Sequence, residues 1–177
     1  MERVVIKPKT YDELSAEAER NLKLDQPKSI MKTIRVTTWP QLKQLTTLAQ
    51  EYSEENKQYD APFAVYAVEL VRRWQLNSHE FYLLYDSNNV VGYTILHGDD
   101  TGLNNTLYVY DLFVTKSARG KGAFHKLIEL IANKGIGNNF NRAEFPSDIQ
   151  EDQWQYLTQL RTKTKKILEV YHPEYKE

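Results

Sequence analysis

The chain has no cysteine among its 177 residues, which excludes a disulfide framework, a thiol nucleophile and a cysteine-ligated metal. Long apolar runs are missing too. No segment approaches the ~18 consecutive apolar residues of a membrane-spanning helix, and the opening MERVVIKPKTYDEL lacks the apolar stretch of a signal peptide. The expectation is therefore a cytoplasmic protein with no membrane partner. Overall charge is scarce as well. A formal charge of −1 and a pI near 6.4 give no general pull toward nucleic acid or an anionic lipid surface. His79, His97, His125 and His172 show no ligand spacing, so no metal is expected. No internal repeat or low-complexity tract interrupts the chain. What remains, 41% hydrophobic and 27% charged residues, suits one globular domain with a sizeable core.

One absence is local. Between Trp74 and Thr115 there is no Lys or Arg, while Glu80, Asp86, Asp99, Asp100 and Asp111 are acidic. The next stretch reverses the sign, with Lys116, Arg119, Lys121, Lys126 and Lys134 against Glu129 alone. An acidic half beside a basic half suits a site that takes a cationic partner on one side and a phosphorylated one on the other. The plainer reading is that these are solvated loop charges that never share a cleft.

The richest segment runs from Leu107 to Ile131. Tyr108 to Val114 is a hydrophobic strand, Lys116 to Gly122 a basic turn with two glycines, and Leu127, Ile128, Leu130 and Ile131 recur at helical spacing. Backbone N–H groups at that helix start can point at a phosphate. Lys116, Arg119 and Lys121 add positive charge where the helix dipole already favours an anion. Gly120 and Gly122 let the main chain approach a ligand that a Cβ would hold off.

Elsewhere, Lys32 to Thr37 reads as a strand. Thr38-Trp-Pro-Gln41 is a capping box that opens a helix to about Asn56, with Leu42, Leu45, Leu48 and Ala49 on its buried face. Pro62 precedes a second helix, Phe63 to Leu76. Phe81 to Tyr85 and Val90 to Leu96 flank a hairpin turn at Asp86-Ser-Asn-Asn89. Beyond the glycine turn come a helix to about Asn133, a Gly135/Gly137 break, a strand Arg142 to Phe145, a helix from about Glu151 to Arg161 and a last strand near Lys166 to Tyr171. Residues 1–30 stand apart as an extension. Thr10-x-x-Glu13 can cap a helix there whose thin stripe of Leu14, Ala18 and Leu22 would pack on its own domain or on a second copy, making a homodimer.

The stretch V-T-K-S-A-R-G-K-G-A-F resembles the acyl-CoA loop of the GNAT superfamily, whose pattern is Arg/Gln-x-x-Gly-x-Gly/Ala after a strand. Arg119 takes its first place and Gly122 its fourth. The strand before it looks like that of the diamine and polyamine acetyltransferases, and the element order is that of the GNAT fold. The resemblance implies an α/β chain in which helices flank a central mixed, mostly antiparallel sheet, with a GNAT-like domain over residues 31–177 behind the extension. It implies acetyl-CoA as co-substrate and a small cationic or lysine-bearing amine as acceptor. Backbone groups of Leu112 and Val114 would pair with the pantetheine, and Arg119, Gly120, Lys121, Gly122, Ala123, Phe124 and His125 would form the pyrophosphate seat. Phe124 departs from the family's small residue at the sixth place. The base is open between Asp111, Tyr110 working through water, and Glu144; strand alternation puts Tyr110 and Asp111 on opposite faces unless the strand bulges. Tyr156 matches the family's general acid. The family's Gly-Phe pair is replaced by Thr162-Lys-Thr-Lys-Lys166. These departures keep a second reading open, a GNAT-fold interaction module without cofactor binding.

Overall fold

The computed structural model describes residues 30–56, 62–99, 105–140, 142–145 and 169–171. Strand β1 (Met31–Arg35) leads to helix α1 (Trp39–Asn56). The Gln41 half of the predicted capping box forms there: its side-chain oxygen accepts the N–H groups of Thr37 at 2.9 Å and Thr38 at 3.1 Å. Helix α2 (Phe63–Gln75) starts directly after Pro62. Strands β2 (Glu80–Asp86) and β3 (Asn89–Asp99) form a hairpin closed by Ser87, which adopts a positive φ of 56°. Strand β4 (Thr106–Val114), a short 3-10 turn (Lys116–Ala118), helix α3 (Ala123–Gly137) and strands β5 (Arg142–Glu144) and β6 (Glu169–Tyr171) complete the order. Residues 1–29 and the expected helix from Glu151 to Arg161 lie outside the described residues.

The six described strands lie in sequence order, antiparallel from β1 to β4 and parallel from β4 to β6. Helices cover both faces. On one, Leu42, Leu45, Ala49 and Tyr52 of α1 and Leu70 of α2 pack on Phe81, Leu83, Tyr93, Ile95 and Phe113. On the other, Ile128 and Ile131 of α3 pack on Leu96, Leu107 and Val109, and Leu127 packs on Leu84, Val91 and Val114. Leu127 is fully buried, so truncation to Ala would cost about 2–5 kcal/mol.

Helix α3 differs from expectation at its end. It continues through the anticipated Gly135 break to Gly137. Gly135 is buried, and its carbonyl accepts the Phe140 N–H at 2.9 Å. That bond ties the last turn to a ring lying against Gly98. The packing outweighs the ~1 kcal/mol that a helical glycine costs.

Candidate active site

Strand β4 has two irregularities that build the site. Ile95 pairs with Asp111 and Leu96 with Val109, so Tyr110 is the extra residue of a β-bulge. The bulge flips the alternation. Val109 and Leu112 pack toward α3, while Phe113 packs toward α1 and α2; Tyr110 and Asp111 between them therefore both turn to the α1–α2 side. On its far edge β4 pairs with β5 only from Thr106 to Tyr108. Among the described residues, no strand pairs with that edge from Val109 to Val114.

Backbone direction on this open edge follows from the ladder. The Thr115 N–H reaches across to the Val91 carbonyl of β3 at 3.0 Å. Main-chain groups alternate along a strand, so Asp111 and Phe113 also face β3 while Leu112 and Val114 face outward. Those are the two residues expected to hold a pantetheine arm. The edge from Val114 back to the fork with β5 spans about 17 Å of strand.

Where β4 ends, the basic turn leads into α3. Gly120 and Gly122 adopt φ of 75° and 85°, and a Cβ added at either would meet no atom within 4 Å. The space beside the turn is open, as a ligand requires. The first helical bond runs from Lys126 N–H to the Gly122 carbonyl at 3.1 Å. The N–H groups of Gly122 to His125 precede it and surround the helix start, the geometry of an anion seat. Ala123 is buried and the His125 side chain exposed. Phe124 is half-buried rather than deeply so. Its ring packs on the sheet side of α3, against both hydrophobic clusters of that face.

The loop's charges are partly claimed. Arg119 pairs with Glu55 of α1 at 2.6 Å and Lys116 approaches the same carboxylate at 3.7 Å. The Arg119 Nε–H donates to the Val114 carbonyl at 3.1 Å. Lys121 is exposed and has no ion pair among the described residues.

At the fork the register sets Tyr108 opposite Glu144, next to Tyr110 and Asp111. Asp111 is only 4% exposed, and its Oδ2 makes no hydrogen bond among the described residues. Burial pushes this carboxyl up to about 7. Tyr110 is 45% exposed, with the Arg73 guanidinium 4.7 Å from its ring centre and His79 edge-on at 4.6 Å. His79 stacks on His97 at 4.8 Å. Burial and the neighbouring Arg73 hold His79 down at about 4. An arginine only donates, so its 3.2 Å contact makes His79 Nε2 the acceptor. Glu144 lies 3.9 Å from Arg142. Tyr156 lies outside the described residues.

Sequence reasoning missed Arg73, His79 and His97 as neighbours of the site, and Glu55 as the partner of its loop cations. Glu55 comes from α1, Arg73 from α2, His79 from the bend just before β2 and His97 from β3, and no local spacing announces that convergence. The expectation of a shared acidic cleft is corrected. Glu80 binds Lys134 at 2.7 Å, lies 3.8 Å from Arg35 and accepts the Tyr82 hydroxyl. Asp86 ends β2 at the hairpin, Asp99 ends β3 at the other end of the ladder, and Asp111 is buried.

A bulged strand with an open edge, running into a glycine turn at a helix start, is the architecture of an acyl-CoA acetyltransferase. The acetyltransferase (GNAT) family profile matches residues 42–153, and the chain belongs to that family. Members of the family use acetyl-CoA. No curated protein matches the sequence. Solved structures share the fold. A ribosomal-protein-alanine N-acetyltransferase from Brucella melitensis biovar Abortus 2308 is 16% identical with a TM-score of 0.60, covering 84% of this chain and 96% of that one. A predicted acetyltransferase from Clostridium acetobutylicum, solved with acetyl-CoA, is 11% identical with a TM-score of 0.59, covering 84% and 95%. An aminoglycoside acetyltransferase from an uncultured soil metagenomic sample, solved with sisomicin, is 19% identical with a TM-score of 0.57, covering 83% and 96%.

Proposed function

We propose that the protein transfers an acetyl group from acetyl-CoA to a primary amine of a small cationic or lysine-bearing acceptor. The observation that carries this reading is the continuity of the open β4 edge with the anion seat at the start of α3. Bound there, acetyl-CoA supplies an activated acetyl thioester. Leu112 and Val114 offer outward backbone groups to its arm, the helix start from Gly122 to His125 directs N–H groups toward its phosphates, and Arg119 and Lys121 add positive charge. Asp111, poised near neutrality, accepts the proton that the acceptor's ammonium gives up. The amine nitrogen then forms its bond to the acetyl carbon as the carbon–sulfur bond breaks. Tyr156, assigned by resemblance, gives its proton to the departing sulfur and regains the one that the nitrogen sheds as the amide forms, and Tyr110 and Glu144 border the acceptor side of the fork.

The position of the Phe124 ring supports this reading over an inactive module, since a ring packed on the sheet side leaves the glycine turn open. A cationic acceptor is favoured by the Glu144 carboxylate at the fork. The fold shared with an aminoglycoside acetyltransferase agrees with it. Incubation with acetyl-CoA and a panel of polyamines, aminoglycosides and lysine peptides, reading release of free thiol, tests the proposal. Turnover confined to neutral or acidic acceptors would remove the cationic class. Absence of any acetyl-CoA binding would remove the enzyme reading.

A further inference from the structure

The loop cations meet a carboxylate from a different layer of the fold. Glu55 lies in the last turn of α1, with its side chain only 15% exposed. It holds Arg119 at 2.6 Å and stands 3.7 Å from Lys116. Its Oε1 makes no hydrogen bond among the described residues. Arg119 is meanwhile folded back along β4. Its Nε–H takes the Val114 carbonyl at 3.1 Å, and its guanidinium lies 5.9 Å from the Phe113 ring centre. Val114 is one of the two outward-facing residues of the open edge. The side chain that should meet a phosphate therefore occupies a backbone acceptor that an added strand-like arm needs.

We infer that Glu55 is a positioning residue that holds Arg119 and Lys116 across the mouth of the cofactor edge and is exchanged for cofactor phosphate when the site fills. The inference rests on the proposed acetyl-CoA reading and goes beyond it, because Glu55 belongs to neither the glycine turn nor the fork. Three contacts change together. The arm takes the Val114 carbonyl, the phosphates take the guanidinium and the ammonium, and the Glu55 carboxylate is released. Affinity for a phosphorylated ligand is thus lowered by a carboxylate that competes for the same cations. A ligand with the same arm and no phosphate gains little from removing it.

Calorimetric titration of CoA and of pantetheine, which carries no phosphate, into the native protein, Glu55→Gln and Glu54→Gln tests this. Glu54 is a neighbouring exposed carboxylate bonded to Gln50 at 2.9 Å and serves as the charge control. Glu55→Gln should bind CoA about twofold to fivefold more tightly, the factor that an exposed ion pair supplies. It should bind pantetheine as the native protein does, and Glu54→Gln should leave both affinities unchanged. CoA affinity that is equal or weaker in Glu55→Gln overturns the exchange. An equal gain in Glu54→Gln also overturns it, since bulk charge would then suffice. If the native protein binds no CoA, the acetyltransferase reading itself falls, a result distinct from either of these.

Discussion

Tyr110 and Asp111 follow one another along β4 yet turn to the same side of the sheet, because the bulge inserts Tyr110 between two paired positions. One ring stays half in solvent while the next side chain is shut away. Exposed aromatic and buried carboxyl thus meet beside the fork with β5, where the proposed chemistry on an amine would use both a surface and a proton acceptor.

The buried carboxyl makes stability depend on pH in a stated direction. Folding raises Asp111 from its ordinary 3.8 to about 7. Between those values the folded chain binds more protons than the unfolded one, so stability is lost as pH rises through that window. Asp111→Asn removes the titration. The variant should match the native protein near pH 4 and exceed it by roughly 2–4 kcal/mol at pH 8. Denaturant melts across pH check this, and parallel profiles would refute it. Turnover on any amine that the native protein acetylates should fall about 100-fold or more.

Acetyl-CoA at a hundredfold excess over its dissociation constant should stabilise the native fold by ~2.7 kcal/mol. Gly122 sits at a φ of 85°. Gly122→Val therefore costs about 1–2 kcal/mol in the apoprotein and places a branched side chain in the seat. The variant should remain folded and lose the ligand-dependent shift in Tm. Equal shifts in both proteins would place the ligand elsewhere.

Phe124 packs on both clusters beneath α3 while remaining partly exposed. Phe124→Ala should cost roughly 1–3 kcal/mol, below the full penalty for a core aromatic. It should leave CoA affinity within about twofold, because the ring packs on the apolar clusters beneath α3. A variant of unchanged stability that binds CoA where the native protein does not would show that the ring blocks the seat.

Gly92 on β3 permits a close approach that no other residue allows. A Cβ there would meet the Phe113 carbonyl oxygen at 2.6 Å and Leu127 at 3.5 Å. The first contact is with backbone, which cannot rotate away. Gly92→Ala should destabilise the fold by about 1–3 kcal/mol and weaken CoA binding, since β4 must shift with the open edge it carries. A native-like melt with unchanged affinity would contradict this.

Much of the fold was legible in the sequence because periodicity and caps are local signals. The Gln41 cap, the strand at Leu107 and the helix at Leu127 each announce themselves within a few residues. The glycine turn was readable for the same reason. Other features depend on partners far along the chain. The bulge at Tyr110 is a matter of register against β3, which strand alternation alone leaves open. Nothing near Glu55 in sequence pairs it with the glycine turn, and only the packing of α1 over β4 brings it to Arg119. The acidic stretch misled in the opposite sense. Its charges are near in sequence, but the antiparallel ladder distributes them to opposite ends of the sheet and supplies Lys134 and Arg35 to neutralise Glu80.

Among the described residues, strands β4 and β5 meet along only three residue pairs. Mechanically the sheet resembles two leaves bound by a short spine, with the four antiparallel strands on one leaf and β5 and β6 on the other. A molecule lying along the outward edge of β4 would extend that spine by a hydrogen-bonded seam of its own. The ligand is then a temporary structural member. The amides of Leu112 and Val114 should exchange with deuterium far more slowly in the loaded protein than in the empty one, and the splay between the two leaves should narrow its thermal excursions as the site fills.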